Sequence, residues 1–169
     1  MDVFDAIRTV LAVRSYEDRE VPADVVRQIV EAGRLTASSK NGQPWHFVVV
    51  RDREMLRRLA GAATSGPYVA QASCAIAVAV ERDSPFGVSD GSRAIQSMVL
   101  AAWEAGVGSN WIGFREMTAV AELLAVPDTF DVLGVVSFGY PAQRIGRGKK
   151  RRKPLAEVAS SERFGTPFA

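Results

Sequence analysis

A chain of 169 residues with 47% hydrophobic content is long enough to bury one substantial core and too short for a second domain. Its start, MDVFDAIRTVLAVRSYEDRE, lacks the basic opening and apolar run of a secretory signal, no stretch suits a bilayer span, and the lone cysteine excludes an intramolecular disulfide framework; a cytoplasmic location is expected. The net charge of +2 hides an asymmetry, because residues 1–143 hold 13 Lys and Arg against 17 Asp and Glu, the remainder holds 8 against 2, and seven of the ten residues of RIGRGKKRRK, 144–153, are basic.

In chain order, Val3, Ile7, Val10 and Leu11 recur at helical spacing and predict a first amphipathic helix. The segment VRSYEDREVP, 13–22, follows it and offers Arg14 and Ser15, a charge and a hydroxyl that suit an anion. Pro22 opens a second helix, with Val25, Val26, Ile29 and Val30 on one face, that runs to Gly33. In LTASSKNGQPWHFVVV the helix gives way to small and hydroxyl residues and a turn at Asn41 and Gly42, a loop suited to exposing backbone donors. The runs His46 to Arg51, Ala75 to Val80 and Val132 to Ser137 are short, apolar and β-branched, so each is expected to be a strand buried on both faces. Asp90 to Ala105 is apolar almost all round, which predicts a central buried helix ending at Gly106. Thr118 to Ala125 is a further helix, ended by Pro127, and after Tyr140 the pattern dissolves into a polar tail lying on the surface or on a partner. Helices and strands alternate without evenly spaced βαβ units, which favours a mixed sandwich over a doubly wound parallel sheet.

Elimination narrows the chemistry. With one histidine, His46, and one cysteine, Cys74, the chain cannot build a His/Cys zinc site unaided, and a Ser-His-Asp or Cys-His mechanism is disfavoured. His46 at a strand start reads as structural, and Cys74 in CAIAVAV as a buried core thiol. No GxSxG elbow or Walker loop is present, and GVGSNWIG, 106–113, misses GxGxxG because Trp111 stands at the third glycine. No catalytic side chain emerges; a cofactor is expected to carry any reaction.

Taken together and in order, four segments resemble the nitroreductase family of FMN-dependent NAD(P)H oxidoreductases: VRSYEDREVP, TASSKNGQPWHFVVV, SDGSRAIQSMVLAAWEAGVGSNWIGF and FGYPAQRIGRGKKRRKPLAEV. The resemblance spans nearly the whole chain. It implies an α+β fold, a three-layer α-β-α sandwich with a mixed, mainly antiparallel central sheet and an extended C-terminal tail reaching the partner subunit. Residues 1–143 would form the FMN-binding domain, and 144–169 a basic extension of it serving phosphate contact and dimerisation. A homodimer would hold FMN at its interface, one subunit giving Arg14, Ser15, Ile112, Gly113, Lys150 and Arg152 and the other Ser38, Ser39 and Asn41. The phosphate calls for Arg and Lys donors, and backbone at Ile112 and Gly113 would lie near the flavin ring. Ala37, Lys40, Gln96 and Trp111 are secondary candidates, with core packing the favoured role for Gln96 and Trp111.

The family commonly carries basic residues where Val13 and Glu17 stand, and losing such contacts costs about 1–3 kcal/mol each. Lys40, in place of a small residue, is a candidate compensation: Lys40→Ala should weaken FMN binding more than Lys149→Ala. The stretch between Leu59 and Ala75 is short for the family, which would leave the face above the flavin open. The implied activity is hydride transfer from NADH or NADPH through flavin N5 to nitroaromatic or quinone-type acceptors by a ping-pong mechanism. Three alternatives stay open: a non-catalytic flavin or nucleotide-binding protein of the same fold, a specialised flavin dehydrogenase or dehalogenase, and a nucleic-acid module led by KKRRK, though no aromatic residues interleave with that run for base stacking. No membrane partner is expected.

Overall fold

The structure is a computed structural model that describes residues 1–113, 117–143 and 150–168. Its elements are α1 (Val3–Thr9), α2 (Ala23–Arg34), β1 (Trp45–Val50), α3 (Arg53–Ala62), β2 (Cys74–Glu81), α4 (Gly87–Glu104), β3 (Gly108–Ile112), α5 (Thr118–Leu123) and β4 (Phe130–Gly139), with short 3-10 turns between some of them. The strands form one sheet in the order β1-β2-β4-β3. All three strand pairs are antiparallel. The parallel contribution expected of a mixed sheet reduces, among the described residues, to the bridge between Ala12 and Ser109.

The period-2 geometry of a strand sends alternate residues of β2 to opposite faces, and both are covered. Cys74, Ile76 and Val78 join a core with Val26 and Ile29 of α2 and Ile95, Met98 and Ala102 of α4. Ala75 and Ala77 face Leu56 and Leu59 of α3 and Val120 of α5. The result is the three-layer α+β sandwich, with α2 and α4 on one face and α3 and α5 on the other.

Three expectations need correcting. β1 is an edge strand, with His46 and Val49 exposed, so it is not buried on both faces. Nothing in the sequence reading places a helix over 53–62, yet α3 forms there; Asp52 caps it by accepting from the Met55 N–H at 2.8 Å, and Leu56 and Leu59 bury its inner face. The apolar stripe of α1 does not face its own core. Ala6 and Thr9 are its buried residues, while Val3 and Phe4 are 71% and 73% exposed. Thr9 ties the helix down by accepting from Trp103 Nε1–H of α4 at 2.9 Å. Among the described residues no helix is long and apolar enough to cross a membrane.

Candidate functional site

The free edge of β3 is closed by the segment that follows α1. The Val13 N–H donates to the Ser109 carbonyl at 2.8 Å, and further along the Glu17 N–H donates to Tyr140 and the Ala142 N–H to Ser15. Pairing of this kind satisfies groups that an open edge would leave bare. The side chains fix its register: Val13 is 3% exposed and lies against Gly108, where a Cβ would meet Val13 Cγ2 at 2.4 Å. Tyr16 turns inward as well, its hydroxyl within 2.7 Å of Ser137 Oγ and donating to the Val13 carbonyl at 2.8 Å. With both neighbours buried, Arg14 and Ser15 are left on the surface. Of the two positions where the family commonly carries a basic residue, Val13 is thus buried in packing and Glu17 is exposed.

Between α1, α4, β3 and the tail lies a cavity of about 940 Å³, near the upper end of the usual range for small-molecule sites. Phe4, Ile7, Val10 and Leu11 form one wall, Ile95, Gln96 and Val99 the other, and Ser109, Asn110 and Trp111 the floor. Thus Ile7, Val10 and Leu11 of the apolar face read from the sequence line this cavity instead of a core, and Val3 does not reach it. Its polar groups are the cations Arg8, Lys150 and Arg152 and the neutral Gln96, Ser109 and Asn110; no carboxylate, imidazole or thiol lines it among the described residues. Lys150 Nζ donates to the Ile7 carbonyl at 2.5 Å, near the C-terminal end of α1, where a cation also suits the helix dipole. Burial, and then the charge of Arg152, hold the Lys150 ammonium below the ordinary lysine range. An anion placed beside both cations would relieve that tension.

The expected site residues divide into three groups. Lys150, Arg152, Gln96 and Trp111 line the cavity, so neither Gln96 nor Trp111 is a core residue as expected; Gln96 is exposed and Trp111 is 38% exposed. The Trp111 indole lies over Gly134, where a Cβ would meet Nε1 at 2.4 Å. Ile112 sends its side chain to the opposite core, leaving only backbone toward the cavity side, and Gly113 follows it on the same strand edge. Arg14 and Ser15 continue from Ala12, the last lining residue of that segment. The third group, Ala37, Ser38, Ser39, Lys40 and Asn41, does not line this cavity. That loop is instead attached to the first turns of α4, through Asp90. Lys149 lies outside the described residues.

Arg8, Asn110 and Asp90 are the residues of this region that sequence reasoning missed. Asn110 is buried on β3, and its side-chain amide donates to the Tyr68 hydroxyl. A signal existed for Asp90, since an acid inside a run read as buried on nearly all sides needs partners. Arg8 carried no such mark; it is an exposed residue paired with Asp5 at 2.6 Å.

The Nitroreductase family model matches residues 8–81 and 68–140. The chain belongs to the nitroreductase family. A provisionally named NADH dehydrogenase/NAD(P)H nitroreductase of Archaeoglobus fulgidus is 40% identical over 144 residues, 80% of this chain and 83% of that protein. The FMN reductase (NADPH) of Bacillus subtilis is 29% identical over 181 residues, covering 91% and 72% of the two chains. Among solved nitroreductase-family structures, an FMN-dependent nitroreductase of Clostridium difficile superposes with a TM-score of 0.87 at 26% identity, over 96% of this chain and 100% of the other.

Proposed function

We propose that this chain is an FMN-dependent NAD(P)H oxidoreductase that works as a homodimer and reduces flat, electron-poor acceptors such as nitroaromatics and quinones. One observation carries this reading: a cavity with apolar walls is lined by three cations, Arg8, Lys150 and Arg152, and, among the described residues, by no carboxylate. Such a lining suits a ligand with a planar body and an anionic end, and FMN has both. Lys150 and Arg152 would hold the phosphate with charge-assisted hydrogen bonds, and Arg14 and Ser15 lie further along the segment that leads from Ala12. Trp111 and the backbone of Ile112 and Gly113 would flank the ring, with the close approach that glycine allows.

When bound, FMN supplies a ring that takes a hydride from NAD(P)H and passes it to the acceptor. The protein's own contribution is orientation and charge. N–H donors beside the ring would favour its reduced, more anionic form, so no acid-base side chain is needed in the lining. Donor and acceptor would use the same open space in turn, a ping-pong order.

The visible spectrum of the purified protein tests the cofactor, with FMN identified after denaturation. Oxidation of NADH and NADPH with a quinone tests turnover. A colourless protein that takes up no added FMN overturns the proposal; a yellow protein without turnover would return it to a flavin carrier.

A further inference from the structure

Residues Ser38–Gln43 adopt a conformation that the chain would not choose unaided. Lys40, Asn41 and Gln43 have φ values of 54°, 56° and 50°, in the left-handed region that costs non-glycine residues about 1 kcal/mol or more each. The strain is offset by hydrogen bonds to one buried acid. Asp90 is fully buried in the first turns of α4, where Gly91 lets the helix press onto the sheet: a Cβ there would meet Val80 Cγ1 at 2.7 Å. Asp90 Oδ2 accepts from the Ser39 N–H at 2.9 Å, and Oδ1 accepts from the Ser39 hydroxyl at 3.4 Å and from the Arg93 guanidinium. Within the loop, Ser38 Oγ accepts from the Gln43 N–H at 3.0 Å. Both donors of Ser39 are therefore turned inward, whereas Lys40 and Asn41 are exposed and the Ser38 hydroxyl keeps its own proton to give.

We propose that Asp90 is a positioning residue for the cofactor of the partner subunit, and that Ser39 is its anchor in the loop rather than a cofactor ligand. The inference rests on the FMN reading above. The clamp would fix Ser38 in its extended conformation and Lys40 and Asn41 in the left-handed one, the geometry that presents them across the interface, sparing the cofactor the cost of ordering the loop.

Two measurements on the full-length protein test it. In Asp90→Ala apoprotein, hydrogen exchange of the amides of 38–43 should accelerate while those of β2 stay protected. FMN affinity, read by flavin fluorescence in titration, should fall by about tenfold or more, the loss expected when an ordered charged hydrogen bond goes. Asp90→Asn, which keeps an acceptor for the Ser39 N–H, should recover most of that affinity. Ser39→Pro deletes the amide donor at a half-buried loop position and reproduces the alanine result if Asp90→Ala fails to fold. Unchanged loop exchange, unchanged FMN affinity in the alanine variant, or equal losses in the alanine and asparagine variants would each overturn the assignment. Wild-type protein that binds no FMN would overturn the proposed function instead, and the exchange result would then decide whether the clamp exists.

Discussion

At Cys74 and Tyr16, burial pushes weak acids away from their ordinary values: the thiol rises from 9.0 to about 12, and the phenol also shifts upward. The hydrogen bond from Ser137 offsets only part of the Tyr16 shift. Both groups hold their proton more tightly folded than unfolded. Stability is therefore full below the unfolded values and falls as pH rises through them, from about pH 9 for the thiol and about 10 for the phenol. Thermal unfolding followed from pH 8 to 11 should decline steeply in the wild type and less steeply in Cys74→Ala, even though the alanine lowers the starting stability by leaving a small void. Equal slopes would remove the thiol from the explanation. The same burial predicts that iodoacetamide labels Cys74 only on unfolding. Lys150 and Arg152 sit at the opposite extreme, beside open space. Replacing either by alanine should weaken FMN binding about tenfold in a fluorescence titration and leave the melting temperature of apoprotein nearly unchanged, whereas Arg151→Ala, outside the cavity lining, should change neither quantity.

Among the elements, β3 shows best what residue patterning alone can hide, since only the family resemblance implies a glycine-containing strand after the central helix. Gly108–Ile112 is mostly small or polar, carries no strand-like run, and becomes a strand because β4 pairs with it on one side and the 12–13 segment on the other. That second pairing demands Gly108: any side chain there meets Val13 from 2.4 Å outward. Gly108→Ala should cost about 1–3 kcal/mol in chemical denaturation, and a loss of FMN affinity should accompany it as Arg14 and Ser15 shift with their segment. Full stability would show that the edge can yield. By contrast, β2, β4, α2 and α4 were legible, since each has a face or a whole surface of apolar residues to bury. α3 was not, because arginines separate its few inward residues and the decisive cap, Asp52, acts through a hydrogen bond that spacing alone does not reveal. The loop 37–43 stood out by composition, but its attachment to Asp90, 47 positions on from Gln43 in the sequence, belongs to the fold.

For the whole molecule, the open question of energy is why α1 keeps Val3, Phe4 and Ile7 on the outside, with Leu155, Val158 and Phe164 of the tail also exposed. Apolar residues scattered singly need no explanation, but a helix face joined to the wall of a cavity does. A second copy laid over that face would bury it and close the site in one step. Cofactor binding and assembly would then be linked, each strengthening the other by mass action. The paired substitution Phe4→Glu with Ile7→Glu should accordingly yield a folded monomer by sedimentation velocity, with FMN affinity reduced in the same variant, because two carboxylates enter the cavity wall and the partner's loop no longer reaches the site. In the wild type, FMN affinity should rise with protein concentration up to the point where the dimer is complete. The two observations must move together: a doubly substituted protein that stays dimeric, or a wild-type monomer that binds FMN at full strength, would break the link between the exposed face and the cofactor.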